Sequence, residues 1–106
     1  MKKLLLGALA SLSISSMSLA AGYVCESDKV EVMAEPIGTS SLYSLEVMDK
    51  ETSEVIFSDQ ADAYLGTGVD ATFSVPGEAI LIIDALGFGD LTFKTTTFGN
   101  LECQKI

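Results

Sequence analysis

Two cysteines lie near opposite ends of this chain, and they limit its fold more than any other residues do. Ahead of them stand two lysines, an apolar run at residues 4–14 and the small-x-small ending Ser18-Leu19-Ala20. This order is typical of a secretory signal peptide, and exported proteins fold in an oxidising compartment where thiols pair. We therefore predict a disulfide between Cys25 and Cys103. A redox-active or metal-binding pair is the alternative, but such cysteines usually lie close in sequence, as in Cys-x-x-Cys.

The leader also sets the limits of the folded domain. Cleavage after Ala20 removes residues 1–20 and leaves residues 21–106 as a single β-domain. A transmembrane helix would need about 20 mostly apolar residues, whereas serines interrupt this segment repeatedly. No lipid anchor is expected, because Val24 rather than a small residue precedes Cys25. We expect a periplasmic or secreted protein that does not insert into a membrane after signal removal.

The charge of the exported part narrows the choice of partner. Loss of Lys2 and Lys3 leaves four lysines against fifteen acidic residues, so the formal charge changes from −9 to −11. Nucleic-acid binding depends on basic side chains that neutralise phosphates, and this balance excludes it. An acidic surface attracts a cationic protein, a cationic peptide or a metal cation. The simpler interpretation is that the acidic residues only keep the protein soluble.

The composition argues against catalysis. The chain has no histidine and no arginine, so it lacks the usual general base near neutral pH and the bidentate clamp for carboxylates or phosphates. With both cysteines paired, no thiolate nucleophile remains, and Ser-His-Asp and Cys-His sites are impossible. A pair of carboxylates could still act, as in glycosidases, but such enzymes need a deep cleft. We predict that the protein is not an enzyme, and we expect no cofactor.

Alternation of apolar and polar residues predicts strands along the whole exported chain. Val69, Ala71, Phe73 and Val75 recur at every second position, which places them on one face of a strand. The first two predicted strands are either separate or one bent strand. The full set comprises residues 22–26, 29–35, 42–49, 54–58, 69–75, 78–85, 91–98 and 101–105.

Turn residues separate these strands. Residues 49–53 form a polar turn, and Gly99-Asn100 suits a two-residue hairpin because both residues tolerate positive φ. Pro76-Gly77 fits a type II turn, which twists the wrong way for a tight hairpin, so we expect a corner or a wider loop there. The segment 58–67 is the least regular, and residues 59–64 could form a helical turn.

Pairing of the terminal cysteines places the first strand beside the last. The sheet is therefore closed or folded over on itself, and we predict a small antiparallel β-barrel or β-sandwich of seven or eight strands closed by a terminal disulfide. One segment, Ala79–Ile83, is apolar on both faces and needs cover on both. Either a loop covers its outer face, or that face is a subunit interface in a homodimer.

A short pattern, Leu-Gly-x-Gly-Asp-x-Thr-Phe, occurs at residues 65–73 with one insertion and again at residues 86–93. Each copy predicts a glycine turn before a strand that directs Phe inward and Thr outward. A strand rather than a helix follows each turn, and no lysine stands nearby, so the pattern does not indicate a phosphate site.

Calcium is the metal whose oxygen ligands this sequence could supply. The spacing matches no known calcium loop, and turns attract aspartate for other reasons. Asp84 and Asp90 flank one further turn. The main candidates lie in two acidic segments: Asp49, Glu51, Glu54, Asp59 and Asp62.

Tyr23-Val24-Cys25-Glu26 and the late Cys103 resemble the two ends of the small periplasmic inhibitors of c-type lysozyme. That resemblance implies a β-barrel whose acidic surface suits a basic enzyme. The Ser-Gly-rich inhibitory loop and the later Lys-Gly segment of that family have no counterpart here, so the resemblance transfers no site residues.

The expected function is therefore a small exported, non-enzymatic β-domain with a binding or structural role and an unidentified ligand. The first alternative is an acidic inhibitor of a cationic enzyme such as c-type lysozyme, with contacts at residues 49–54 or 59–62. The second alternative is a calcium-dependent envelope or adhesion module.

Overall fold

The computed structural model describes residues 22–106, which form a closed antiparallel barrel of eight strands. Each strand pairs with its neighbours in the chain, and the first strand pairs with the last. This confirms the predicted all-β class and identifies the architecture as a barrel. The predicted signal peptide, residues 1–20, lies outside the described residues. The strands are β1 (Tyr23–Glu26), β2 (Val30–Pro36), β3 (Leu42–Asp49), β4 (Glu54–Leu65), β5 (Ala71–Val75), β6 (Ala79–Ile83), β7 (Phe88–Phe93) and β8 (Thr96–Lys105).

Two-residue alternation determines which side chains fill the barrel. In β5, Ala71, Phe73 and Val75 are buried, whereas Thr72 and Ser74 point outward, as their alternation predicts. Phe73 lies at the centre of the core, because the rings of Tyr23 and Tyr43 pack against it at centroid distances of 5.2 and 5.0 Å. The barrel is therefore held by a continuous apolar core.

The predicted disulfide is present and closes the barrel. Cys25 of β1 and Cys103 of β8 lie directly opposite each other in the ladder that joins the first and last strands. That ladder contains only four residue pairs, from Tyr23 opposite Lys105 to Glu26 opposite Glu102. The covalent bond therefore reinforces one of the shortest strand pairings in the barrel.

Strand β4 runs to Leu65, so the predicted helical turn at residues 59–64 is wrong. Pairing with β3 holds this segment extended, with Ala61 opposite Tyr43 and buried in the core. Its polar residues are exposed. Cross-strand pairing thus overrides the weak local preference for a turn.

The predicted hairpin at Gly99-Asn100 is also wrong. These residues lie within β8, where the register with β7 shifts between Gly89 and Leu91. Asn100 has a φ of 57°, and its backbone N–H donates to the Asp90 carboxylate at 3.2 Å. Positive φ suits a β-bulge as well as a hairpin turn, which explains the misassignment.

The turns that join β5 to β6 and β7 to β8 are both tight. Gly77 has a φ of 77°, and the Glu78 N–H donates to the Val75 carbonyl at 2.9 Å, as a type II turn requires. The expectation of a corner or wider loop was wrong, because Val75 pairs directly with Ala79. The β7–β8 connection begins at Lys94, whose φ is 58°.

The two copies of the short pattern fold differently. Of their four glycines, only Gly87 has positive φ, at 92°. Gly89 is needed for another reason: a Cβ there would lie 2.8 Å from the Cys103 sulfur. Phe73 is fully buried, as expected, whereas Phe93 is only partly buried and packs against the rim of the core. The shared pattern does not define a shared loop.

We predict that removal of the disulfide strongly destabilises the barrel. The loop-entropy model gives a loss of about 4.5 kcal/mol for a bond that spans 78 positions. Urea unfolding of the oxidised protein and of a double Cys25→Ala, Cys103→Ala variant measures this loss. A difference below about 1 kcal/mol would show that strand pairing alone closes the barrel.

We also predict that the barrel loses stability in alkali. Burial raises the pKa of Tyr23, with further contributions from Tyr43 and Asp70, and burial raises the pKa of Tyr43. The folded state therefore favours the neutral phenols. Their contribution to the free energy of unfolding is complete below about pH 10 and is lost as the pH rises further. Urea unfolding at several pH values should show this fall, and a Tyr23→Phe, Tyr43→Phe variant should show a shallower one. If stability fell equally steeply with pH in both proteins, the buried tyrosines would not be the cause of the alkaline loss.

Candidate functional site

Apolar side chains fill the interior of the barrel. Seventeen hydrophobic residues are buried, and no polar or charged residue among residues 22–106 is buried with them. No described side-chain nitrogen or oxygen atom is buried without a hydrogen-bond partner. A ligand must therefore bind on the outer surface or at an end of the barrel.

Three carboxylates form a row across three neighbouring strands. Glu26 of β1 lies directly opposite Glu102 of β8 on one side and Glu31 of β2 on the other. All three point outward, because Cys25, which precedes Glu26, faces the core. We call these residues the acidic row. Like charges that face each other across strands are destabilising, so this arrangement reduces the stability of the barrel.

Apolar side chains continue the acidic row at both ends. Phe88 of β7 lies opposite Glu102 and is 46% exposed. At the other end, Met48 of β3 lies opposite Glu31, and Val55 of β4 lies opposite Met48. The outer surface thus presents negative charge between two apolar borders.

One lysine reaches the acidic row. Lys50, in the turn between β3 and β4, places its Nζ 3.0 Å from Oε1 of Glu26. This is the single ion pair within residues 22–106, and an exposed pair of this kind contributes little to stability. It leaves Glu31 and Glu102 without a cationic partner in the described structure.

A shallow, open groove of about 530 Å³ lies beside this ion pair. Its walls come from the β1–β2 turn, the β3–β4 turn and the bulged part of β8. Most of its surface is polar. The lining residues are Glu26, Ser27, Asp28, Lys50, Gly99, Asn100 and Glu102.

The predicted calcium ligands do not come together. The Asp49 carboxylate accepts the N–H groups of Glu51 and Thr52 at 2.8 and 3.2 Å, which stabilises the turn. Asp59 and Asp62 lie on β4 rather than in a loop. Within residues 22–106, no three acidic or cysteine side chains are grouped so that they could hold a metal ion.

Within the described residues, one edge of the β3–β4 hairpin has no strand partner near the end of the barrel that carries the groove. In the described structure, residues 54–61 of β4 pair with β3 alone, because the ladder to β5 covers only Asp62 to Leu65. The Asp59 carboxylate accepts the Gln60 N–H at 2.7 Å, and Phe57 packs against Phe93 at 5.1 Å. The hairpin is therefore exposed but anchored by an aromatic contact.

Strands β5 and β6 present a different outer surface. The outward residues of β5 and β6 are Thr72, Ser74, Ile80 and Ile82, none of which is charged. Ile82 is 49% exposed, so no loop of the described chain covers the outer face of β6, contrary to one of the two expectations. The acidic row and this uncharged surface lie on different parts of the barrel wall.

Comparisons with protein-family models, with characterised proteins and with solved structures find no match for this chain. The resemblance to lysozyme inhibitors therefore rests on Tyr23–Glu26 and Cys103 alone. In the part of the chain that the structure describes, no helix is long and apolar enough to cross a bilayer.

The acidic row makes a prediction about stability. A Glu31→Gln variant should be more stable by about 0.5 kcal/mol at low salt, because it removes one repulsive pair, and the gain should shrink in high salt. Urea unfolding measures this change. Asp62→Asn is the matched control, since its cross-strand neighbours Leu42 and Ser74 are uncharged. An equal gain in both variants would show that only net charge matters.

Proposed function

We propose that this chain is a small exported, non-enzymatic binding domain that binds a cationic protein or peptide through the acidic row. The observation that carries this proposal is the filled interior, which leaves only the outer surface for a ligand. Fifteen acidic residues against four lysines in residues 21–106 make that surface strongly negative. The Cys25–Cys103 bond is compatible with an oxidising location such as the periplasm.

The energetics of the acidic row favour a cationic ligand. Glu31 and Glu102 each face Glu26, and Lys50 pairs with Glu26 alone, so the repulsion across the row is only partly offset when the surface is empty. A bound Lys or Arg side chain would reduce that repulsion and add attraction of its own. The negative field would also increase the rate of encounter with a cationic partner, particularly at low salt.

The surroundings of the row favour a protein or peptide over a small ion. The groove beside Glu26 is wide and open rather than an enclosed cavity. Phe88 and Val55 border the row with exposed apolar surface. Interfaces commonly combine such apolar contacts with charged ones, whereas a bare cation would use oxygen ligands alone.

Several features argue against an enzyme. No histidine is present, and the two cysteines are joined to each other. The barrel encloses no polar cavity among the described residues in which a substrate could be sheltered from water. A binding role requires neither feature.

The exposed acidic tip of the β3–β4 hairpin favours a second candidate, an inhibitor of a cationic enzyme such as c-type lysozyme. The hairpin carries Glu51 and Glu54 at its tip and exposed Val55 and Ile56 next to them. An exposed acidic hairpin tip would contact the cleft of a basic enzyme, whose positive charge would be complementary to it.

The main proposal predicts salt-sensitive binding that depends on the acidic row. Calorimetric titration with a decalysine peptide should show affinity that decreases as NaCl is raised. A Glu26→Gln, Glu31→Gln, Glu102→Gln variant should bind about tenfold more weakly, on the order of 0.5 kcal/mol for each carboxylate. The control Asp59→Asn, Asp62→Asn, Glu78→Gln removes the same charge elsewhere and should lose much less. Equal losses in the two variants would contradict a role for the row.

The second candidate has its own test. A turnover assay of c-type lysozyme with excess oxidised protein should show inhibition, and Glu51→Gln, Glu54→Gln should weaken it. Absence of inhibition would exclude this candidate and leave the main proposal standing.

A further inference from the structure

We propose that an extended, basic segment of another protein binds as an added strand along the free edge of β4. Residues 54–61 pair with β3 on one side, whereas the ladder to β5 begins only at Asp62. No backbone hydrogen bond from a turn or loop of the described chain covers their other side. We call residues 54–61 the open edge, because backbone N–H and C=O groups on that side are available to another strand.

The tight β5–β6 turn explains why this edge is open. Ser74 lies opposite Asp62, and the next residue, Val75, already pairs with Ala79 of β6. Strand β4 continues beyond this turn, and no other strand of the described chain takes the place of β5. Burial agrees with this arrangement, because none of residues 54–60 is buried, whereas every second residue of β5 is. The edge is therefore accessible to a partner.

The open edge is long enough and ordered enough to pair with a short strand. Its register with β3 shifts at Ile56, which has no partner in that ladder. Residues 57–61 remain in regular register and equal β6 in length. The Phe57 ring packs against Phe93 at a centroid distance of 5.1 Å, which holds the segment in place. A preformed edge of this kind loses little conformational freedom when a strand binds.

One N–H group of the open edge is satisfied by a neighbouring side chain. The Gln60 N–H donates to the Asp59 carboxylate at 2.7 Å. Local bonds of this kind substitute for a missing partner in the ladder. A bound strand would offer a carbonyl oxygen to this N–H and a basic side chain to the released carboxylate. Asp59 therefore discourages an acidic strand and suits a basic one.

The other charges near the open edge also select a basic occupant. Glu54 lies on the edge strand itself, and the exposed Glu46 of β3 lies opposite Ser58. The single ion pair within the described residues lies elsewhere, at Glu26, so these carboxylates have no cationic partner. Neighbouring strands lie about 4.8 Å apart, so a lysine placed opposite the small Ser58 can extend over it to Glu46.

A second copy of this chain suits the open edge poorly. Residues 54–61 contain no lysine or arginine, so edge-to-edge pairing of two copies would align only carboxylates along the seam. Like charges on paired strands are destabilising. Lys94, which follows Phe93, lies over that ring at 5.2 Å and pairs with no carboxylate of the described chain. A basic segment reduces the repulsion at the edge, whereas a second copy increases it.

This inference goes beyond the proposed function, because it adds a surface that the acidic row does not require. The row would contact basic side chains, whereas the open edge would pair with an extended backbone. The inhibitor candidate differs as well, since it uses side chains at the tip of the hairpin. Removing backbone donors from a ligand without changing its charge therefore separates the open edge from the other two surfaces.

A peptide of about eight alternating lysine and threonine residues is the probe, since threonine favours strands and lysine supplies positive charge. Its affinity for the oxidised protein is measured by calorimetric titration. The same peptide, N-methylated at two adjacent central residues, should bind at least about tenfold more weakly, because methylation removes a donor from each edge of the peptide and keeps its charge. This loss should persist in the Glu26→Gln, Glu31→Gln, Glu102→Gln variant.

Amide hydrogen exchange locates the bound peptide. Exchange within residues 57–61 should slow at least about fivefold when the unmethylated peptide is in excess. Glu46→Gln should weaken binding at least about threefold, because it removes the carboxylate that a lysine opposite Ser58 would reach. Glu35→Gln is the matched control, since Glu35 is also exposed but lies on β2, one strand farther from the open edge.

Four results would overturn this proposal. They are no binding up to about 1 mM peptide, equal affinities of the two peptides, binding without slower exchange in residues 57–61, and slower exchange there that depends on protein concentration alone. The last result would assign the edge to a second copy. If methylation weakens binding but the row variant binds normally, the proposed function fails and this inference stands. If only the row variant binds weakly, the reverse holds.

Discussion

The closure of the barrel depends on the four-residue ladder between β1 and β8 and on the disulfide within it. Without this ladder, β1 and β8 would be open edges of an eight-stranded sheet, and open edges favour aggregation. The core would also open, because Tyr23 and Cys25 contribute buried side chains from β1. A reducing compartment would leave this ladder without its covalent bond, so the bond is compatible with an oxidising location.

The same ladder creates the acidic row. Closure places Glu102 of β8 opposite Glu26 of β1, while the β1–β2 hairpin places Glu31 opposite Glu26. The covalent bond between the adjacent Cys25 and Cys103 offsets the repulsion that results. Stability and binding are thus linked at one place, because opening the β1–β8 seam would separate the carboxylates that we propose to bind the ligand.

Strand alternation predicted much of the fold because burial follows it directly. Val69 lies just outside β5, yet Ala71, Phe73 and Val75 face inward as expected. The prediction of the disulfide came from the expected export signal together with the positions of the two cysteines. Two of the predictions that failed were the helical turn at residues 59–64 and the hairpin at Gly99-Asn100. The actual conformations depend on pairing of β4 with β3 and of β8 with β7, and no short window of sequence contains both partners of such a pair. The acidic row was missed for the same reason, since its three residues are neighbours only through register.

Two opposite surface chemistries on one small barrel have a common origin. Each strand has one outward face, so the identity of the outward residues in β8, β1 and β2 is independent of that in β5 and β6. The first set includes Glu26, Glu31 and Glu102, whereas the second consists of Thr, Ser and Ile. Because neither set contributes to the core, substitutions on one surface should leave the other intact.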